Sequence, residues 1–195
     1  EMKARTPIRR FLVVCPSRLR DKWRTEFRQR FDVTLQDLDK RGFGQFLEDY
    51  RRLGPNAGLH GVIAIETLRD QQFTEAIAEM NVHFDLVVID EAHHFRNPST
   101  LTHQSGQALS DAADAMLLLS ATPVNIGNED LFHLLNLLDE GEFPDLFTFQ
   151  EVLEPATAIN EAARFLGTSR EQVGAALDAL ERVAVSPIGK KIALH

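Results

Sequence analysis

Asp90 and Glu91 stand side by side at the end of the apolar run Leu86-Val-Val-Ile89, and Ala92, His93 and His94 follow them. A buried strand pushes acids so placed out at its C-terminal end, where open α/β sheets bind their ligands. An aspartate there can hold a Mg²⁺-nucleotide, and the adjacent glutamate can orient or deprotonate a water. A second segment, Leu117-Leu-Leu-Ser-Ala-Thr-Pro123, repeats the design: an apolar strand ending in small hydroxyl residues and a chain-breaking proline. A plain strand-to-helix turn with solvated acids is the simpler reading of the first segment, and a plain β-to-loop exit that of the second. A divalent-metal site built from Asp90, Glu91, His93 and His94 is a further reading. It is the less attractive one, because a zinc-binding helix needs histidines four apart and these are adjacent.

Two further strand ends carry polar groups. In Val14-Cys-Pro-Ser-Arg-Leu19 a strand, then Pro16 and Ser17, then a helix would place backbone N–H groups and the Ser17 hydroxyl at a helix N-terminus. Such an end suits a phosphate, or is an ordinary turn capped by Ser17. Ile63-Ala-Ile-Glu-Thr-Leu68 is similar, with Glu66 or Thr67 free to meet a substrate or to cap the helix behind them.

The elements that must position these groups follow from hydrophobic spacing. Strands are expected at 11–15, 61–65, 85–90 and 115–120. Helices are expected at 18–31, 43–53, 67–80, 99–112 and 129–138. In the first helix Leu19, Trp23, Phe27 and Phe31 recur every fourth residue. This alternation predicts an α/β fold with a largely parallel sheet covered on both faces. The pattern breaks between Gly141 and Pro144. Beyond it only helices are expected, at 148–153, 157–166 and 169–184, the last capped near Thr168-Ser169 and presenting Val173, Leu177, Leu180 and Ala184 as a core-like face. Residues 1–147 are therefore expected to form one lobe, and 148–195 a helical extension.

Bulk properties narrow the function. The 195 residues suffice for one sizeable core. No apolar run approaches the ~20 residues of a membrane helix. The single cysteine, Cys15, lies in an apolar run, which suits buried filler in a reducing cytoplasm. Net charge is −8, yet residues 1–31 hold ten Lys/Arg against three Asp/Glu. The acidic whole argues against nonspecific coating of nucleic acid, while the basic start leaves room for a local phosphate-contacting patch or a solvated helix.

Taken together, these segments resemble the first motor lobe of the superfamily-two helicase-like ATPases, specifically the Swi/Snf-type DNA translocases. The resemblance covers roughly residues 9–155. Its strongest parts are Val87-Val-Ile-Asp-Glu-Ala-His-His-Phe-Arg-Asn97 and Leu117-Leu-Leu-Ser-Ala-Thr-Pro-Val-Asn125, continuing into Glu129-Asp-Leu-Phe-His-Leu-Leu-Asn-Leu-Leu138. Val13 to Leu19 with Trp23, Glu26 and Phe27 is similar to the family's motif Ia, and Val62 to Leu68 to motif Ib. Phe149-Gln-Glu-Val-Leu-Glu-Pro155 leans toward the bacterial RapA-like branch. The resemblance implies a RecA-like three-layer αβα lobe, with ATP and Mg²⁺ as cofactors. Asp90 would hold Mg²⁺ through water, Glu91 would act as catalytic base, and His93 would complete a DEAH box. Ser120, Ala121 and Thr122 would form motif III, coupling nucleotide state to nucleic-acid grip. Pro16, Ser17, Arg18, Glu66 and Thr67 would touch a nucleic-acid backbone, so binding would be independent of sequence. The partners implied are double-stranded DNA and a second RecA-like lobe.

One departure matters. The family's Gly-rich loop ending Gly-Lys-Thr or Gly-Lys-Ser, which cradles the phosphates, has no counterpart; Gly189-Lys190-Lys191 lacks the hydroxyl residue. The chain thus reads as part of a longer motor, inactive alone, with an unpaired sheet edge beside the 115–120 strand. The alternatives are a non-catalytic interaction lobe and a strand-separating helicase.

Overall fold

The computed structural model describes residues 8–121, 127–166 and 173–186. They fall into two compact units, 1–139 and 140–195. The first is built on five parallel strands: β1 (Arg10–Cys15), β2 (Gln36–Asp37), β3 (Leu59–Ala64), β4 (Leu86–Asp90) and β5 (Met116–Leu119), in the spatial order β2-β3-β1-β4-β5. Parallel neighbours need crossovers. These are supplied by α1 (Arg20–Phe31), α2 (Lys40–Leu53), α3 (Ile65–Leu68), α4 (Gln71–Glu79) and α5 (Leu101–Asp111), with α6 (Asn128–Asn136) after β5.

Period-two alternation sorts the strand side chains onto two faces. Leu12, Val14, Ile63, Val87 and Ile89 point to one face, where Phe43, Phe46 and Tyr50 of α2, Phe73 and Ile77 of α4, Leu109 of α5 and Leu134 of α6 close over them. Phe11, Val13, Cys15, Val62 and Val88 point to the other. This face is covered as well, though more thinly: among the described residues α1 is the helix that packs there, through Trp23 and Phe27, with Leu19 just ahead of it. The last residue of its apolar row, Phe31, is 64% exposed. Beyond it an open apolar groove of about 650 Å³ runs over β4 and β5, floored by Leu86, Val88, Leu117 and Leu119. β5 is an edge strand, and Leu117 is half exposed.

Several helix boundaries differ from the periodicity for local reasons. The expected helix 67–80 is two, because Asp70 leaves the helical region and caps α4, its carboxylate accepting from the Gln72 N–H at 3.2 Å. α2 starts at Lys40, three residues early, capped by Asp39 through the Gly42 N–H. β2 escaped notice because two polar residues carry no alternation.

In the second unit α7 (Leu146–Leu166) runs unbroken through Pro155, where two helices were expected. A proline costs the carbonyl four residues back its partner; that residue, Glu151, is exposed, so water serves it. α8 (Val173–Val185) meets α7 through alanines: Ala162, Ala176 and Ala179 are buried. The face expected to be core is therefore the wrong one, since Val173, Leu177 and Leu180 are exposed. Small residues let two helices approach closely, and the larger side chains are turned outward. Thr168 and Ser169, the expected cap, lie outside the described residues, as does the tail beyond Ser186.

Candidate functional site

Strand register decides what meets at the C-terminal edge of the sheet. Cys15 pairs with Ala64, Val14 with Ile89, and Asp90 with Leu119. The residues that follow each strand therefore emerge side by side: Pro16 and Ser17 after β1, Ile65 to Thr67 after β3, Glu91 after β4, Ser120 after β5. All four segments singled out by sequence converge on one edge. Thr122 lies outside the described residues; Ala121 is exposed.

At the centre, β4 ends on Asp90 and the backbone turns sharply. Glu91 adopts φ 53°, ψ 47°, the left-handed region that a non-glycine residue seldom occupies. The chain then closes a short 3₁₀ turn, Ala92–Phe95, pinned by its two buried residues Ala92 and Phe95. His103 Nδ1 lies 2.6 Å from the Phe95 carbonyl, tying the turn to α5. The left-handed residue directs consecutive carboxylates differently. Asp90 is drawn back on its own turn, with Oδ1 accepting from the Glu91 N–H at 2.9 Å. Its Oδ2 accepts from Trp23 Nε1–H at 2.8 Å. Glu91 Oε2 lies 3.3 Å from His93 Nδ1, a buried nitrogen whose alignment falls short of a hydrogen bond. The His93 and His94 rings sit 4.4 Å apart. Burial, and next the His93 ring, hold the His94 imidazole below its ordinary pKa. Ser120 Oγ is buried and has no hydrogen-bond partner among the described residues, the kind of polar atom that calls for an explanation.

Beneath the acids, Cys15 is wholly buried, and its thiol is pushed up to about 12 by burial and then by the neighbouring Asp90 carboxylate. It is inert filler at this edge, as its apolar surroundings suggested.

The β1 and β3 exits are joined to each other. The Ser17 N–H donates to Glu66 Oε2 at 3.2 Å, so Glu66 occupies the amide that an anion could have used. The helix entry is a 3₁₀ turn, Ser17–Leu19, whose cap Pro16 offers no side-chain acceptor. Arg18 is exposed, while Arg20 is engaged by Asp37 at 2.6 Å. Thr67 is half-buried.

Among the described residues no three His, Cys, Asp or Glu side chains converge to cage a metal ion. Mg²⁺ keeps several waters and takes one or two carboxylates plus substrate phosphates. Asp90 fits such a role. Each of its oxygens accepts one internal hydrogen bond and keeps a further acceptor direction for a metal-bound water. The sequence contains no Gly-Lys-Thr/Ser loop to grip the phosphates. No helix among the described residues is long and apolar enough to cross a membrane.

The hydrogen bond from Trp23 was not foreseen. The sequence marked Trp23 as a member of an apolar row by its spacing of four, and as part of the motif Ia resemblance; neither says what its indole N–H touches. The available signal was that a partly buried indole N–H needs an acceptor, and Asp90 was the acid at the neighbouring strand end.

Comparison with known proteins places this geometry. The model of the SNF2-related domain matches residues 1–182. The RNA polymerase-associated protein RapA of Pseudomonas aeruginosa is 29% identical over 160 residues, spanning 80% of this chain and 16% of that protein. RapA of Photobacterium profundum is 31% identical over 158 residues, spanning 78% of this chain and 16% of the relative. The chain thus spans about one sixth of the length of these relatives. Among solved structures, the Sulfolobus solfataricus SWI2/SNF2 ATPase core in complex with dsDNA aligns over 93% of this chain and 48% of that one, at a TM-score of 0.56 and 16% identity. That likeness shows the fold, a RecA-like sheet with flanking helices followed by C-terminal helices. With the family model covering nearly the whole chain, the chain belongs to the SNF2-related domain family, among the Swi/Snf-type helicase-like proteins.

Proposed function

We propose that this lobe supplies the metal-holding and water-activating carboxylates of an ATP-dependent motor that tracks along duplex DNA. One observation carries the reading: β4 delivers Asp90 and Glu91 to the same sheet edge as the exits of β1, β3 and β5, with a left-handed residue splaying the two acids apart. A Mg²⁺-nucleotide bound there would bring the positive charge that phosphoryl transfer needs on its developing anionic oxygens. Asp90 would hold the metal's water shell. Glu91 orients and deprotonates the attacking water. His93, 3.3 Å from Glu91, limits that carboxylate's freedom and links it to the turn. Ser120, with its unpartnered buried hydroxyl beside the acids, answers the state of the nucleotide for motif III together with Ala121 and Thr122.

Pro16, Ser17, Arg18, Glu66 and Thr67 form the DNA-facing end of the lobe. Glu66 braces the Ser17 backbone, leaving the exposed Arg18 to meet phosphate. Contacts of this kind position a duplex and carry no sequence information. The phosphate-gripping loop and a second RecA-like lobe would come from the rest of a longer polypeptide, of which residues 1–147 form the motor part and 148–195 a helical extension. Alone, the 195-residue chain turns over ATP negligibly, since neither a phosphate cradle nor a charge clamp completes the site.

A second reading, a non-catalytic interaction lobe, holds if the longer polypeptide itself lacks a Gly-Lys-Thr/Ser loop. The two separate by experiment. A longer polypeptide carrying this chain and a second lobe is assayed for ATP hydrolysis with and without duplex DNA, and for strand displacement. DNA-stimulated hydrolysis without strand displacement supports a translocase. Displacement makes it a helicase, and no hydrolysis at all leaves the interaction lobe.

A further inference from the structure

Trp23 is the chain's single tryptophan, and its indole N–H donates to Asp90 Oδ2 at 2.8 Å. The ring has an aromatic neighbour on its own helix. It packs on Phe27 at 5.7 Å, and Phe27 stacks on Phe11 of β1 at 5.2 Å and leans on Phe31 at 5.3 Å. Trp23 and Asp90 come from different elements, yet both are only partly buried. An indole donates one hydrogen bond and accepts none, so the contact has a single polarity and fixes the carboxylate plane against the Glu91 N–H on Oδ1. A carboxylate held through both oxygens is already set for the metal's water shell, and no rotation needs to be frozen when it binds.

We propose that Trp23 is a positioning residue for Asp90: α1, through the indole N–H, holds the carboxylate in the orientation that takes Mg²⁺. This rests on the reading of Asp90 as the metal-holding acid. It gives a metal-positioning role to a residue that the sequence marked only as part of an apolar row and of the motif Ia resemblance. It also ties the metal-holding acid to the helix that starts three residues after Ser17. Partners that orient metal ligands are typically worth about 10–100-fold in metal affinity or activity.

Two measurements test it. In the 195-residue chain, ¹H–¹⁵N correlation spectra contain one indole cross-peak. The substitution D90A should move that peak upfield and speed exchange of its proton about tenfold, the effect of losing a hydrogen bond to a charged acceptor, with the backbone peaks of β1 and β3 unchanged. In the ATP-hydrolysing longer polypeptide, W23F keeps an aromatic ring on Phe27 but loses the donor. It should raise the Mg²⁺ concentration for half-maximal turnover about tenfold or more and leave the DNA concentration dependence unchanged. An indole peak that ignores D90A, or a wild-type Mg²⁺ requirement in W23F, overturns the proposal while E91Q remains inactive. Full activity in E91Q instead overturns the reading on which it stands. If W23F does not fold, the D90A spectrum decides alone.

Discussion

At the residue scale, the site is a set of groups whose surroundings decide their chemistry. Cys15 and Asp90 sit level on adjacent strands, and their surroundings set them apart. Burial and then the Asp90 charge raise the thiol to about 12, so it stays protonated throughout the physiological range and is neither nucleophile nor metal ligand. The sign is direct: a raised thiol pKa means less thiolate at any given pH. Cys15 should resist a disulfide reagent at about pH 8 in the folded chain and react fully in denaturant. Rapid labelling of the native protein would mean that this strand end is open to solvent. Glu91 shows how far sequence reaches. Its type and place after an apolar run marked it as chemically capable. Its left-handed backbone, which separates its carboxylate from that of Asp90, follows from the pinning of Ala92 and Phe95 and has no local signature. The Trp23 contact was hidden for the same reason, since a period of four states which residues share a face and is silent on what one polar atom of that face touches.

At the element scale, the turn after β4 depends on α5. Gly106 of α5 lies against Phe95, and a Cβ placed there would stand 2.7 Å from one ring carbon of Phe95 and 3.3 Å from the next. Phe95 is fully buried, so the ring has little room to yield. Alanine gains about 1 kcal/mol of helix propensity over glycine, and overpacking costs about 1–3 kcal/mol. G106A should therefore be destabilising by up to about 2 kcal/mol in urea unfolding; a more stable variant would show that Phe95 moves freely. Thr100 caps the same helix, its Oγ1 accepting from the His103 N–H at 3.2 Å, and T100A should cost about 1 kcal/mol. An unchanged midpoint would mean that water caps the helix equally well. The strands and helices of the first unit were legible because a parallel sheet writes continuous apolar runs between amphipathic helices. Boundaries were lost where one polar side chain decided them, as Asp70 did between α3 and α4. The face of α8 was misread because Leu and Val outweigh Ala in any hydrophobic pattern, whereas close helix packing prefers the alanines.

At the scale of the whole molecule, the two faces of the sheet differ. One is closed by five helices, and the other carries α1 and the apolar groove over β4 and β5. Composition could not reveal this, since the strands alternate equally well on both sides. The groove should bind an apolar fluorescent dye, and L117K, which sets a charge on its exposed β5 wall, should weaken that binding without unfolding the chain. Dye binding unaltered by L117K would place the apolar surface elsewhere. Trp23 lines the groove and reaches Asp90 through its indole N–H, so the groove borders the edge that carries the acids. The convergence of four strand exits on that edge is what the functional account depends on, and Glu91 is its sharpest point. The most direct measurement is therefore E91Q in the longer polypeptide, with ATP binding, duplex-DNA binding and turnover followed on the same preparation. The account predicts that both ligands bind as in the wild type while hydrolysis falls about 10²–10⁴-fold, the usual worth of a positioned general base. Turnover within about twofold of wild type, with both ligands bound, would contradict it.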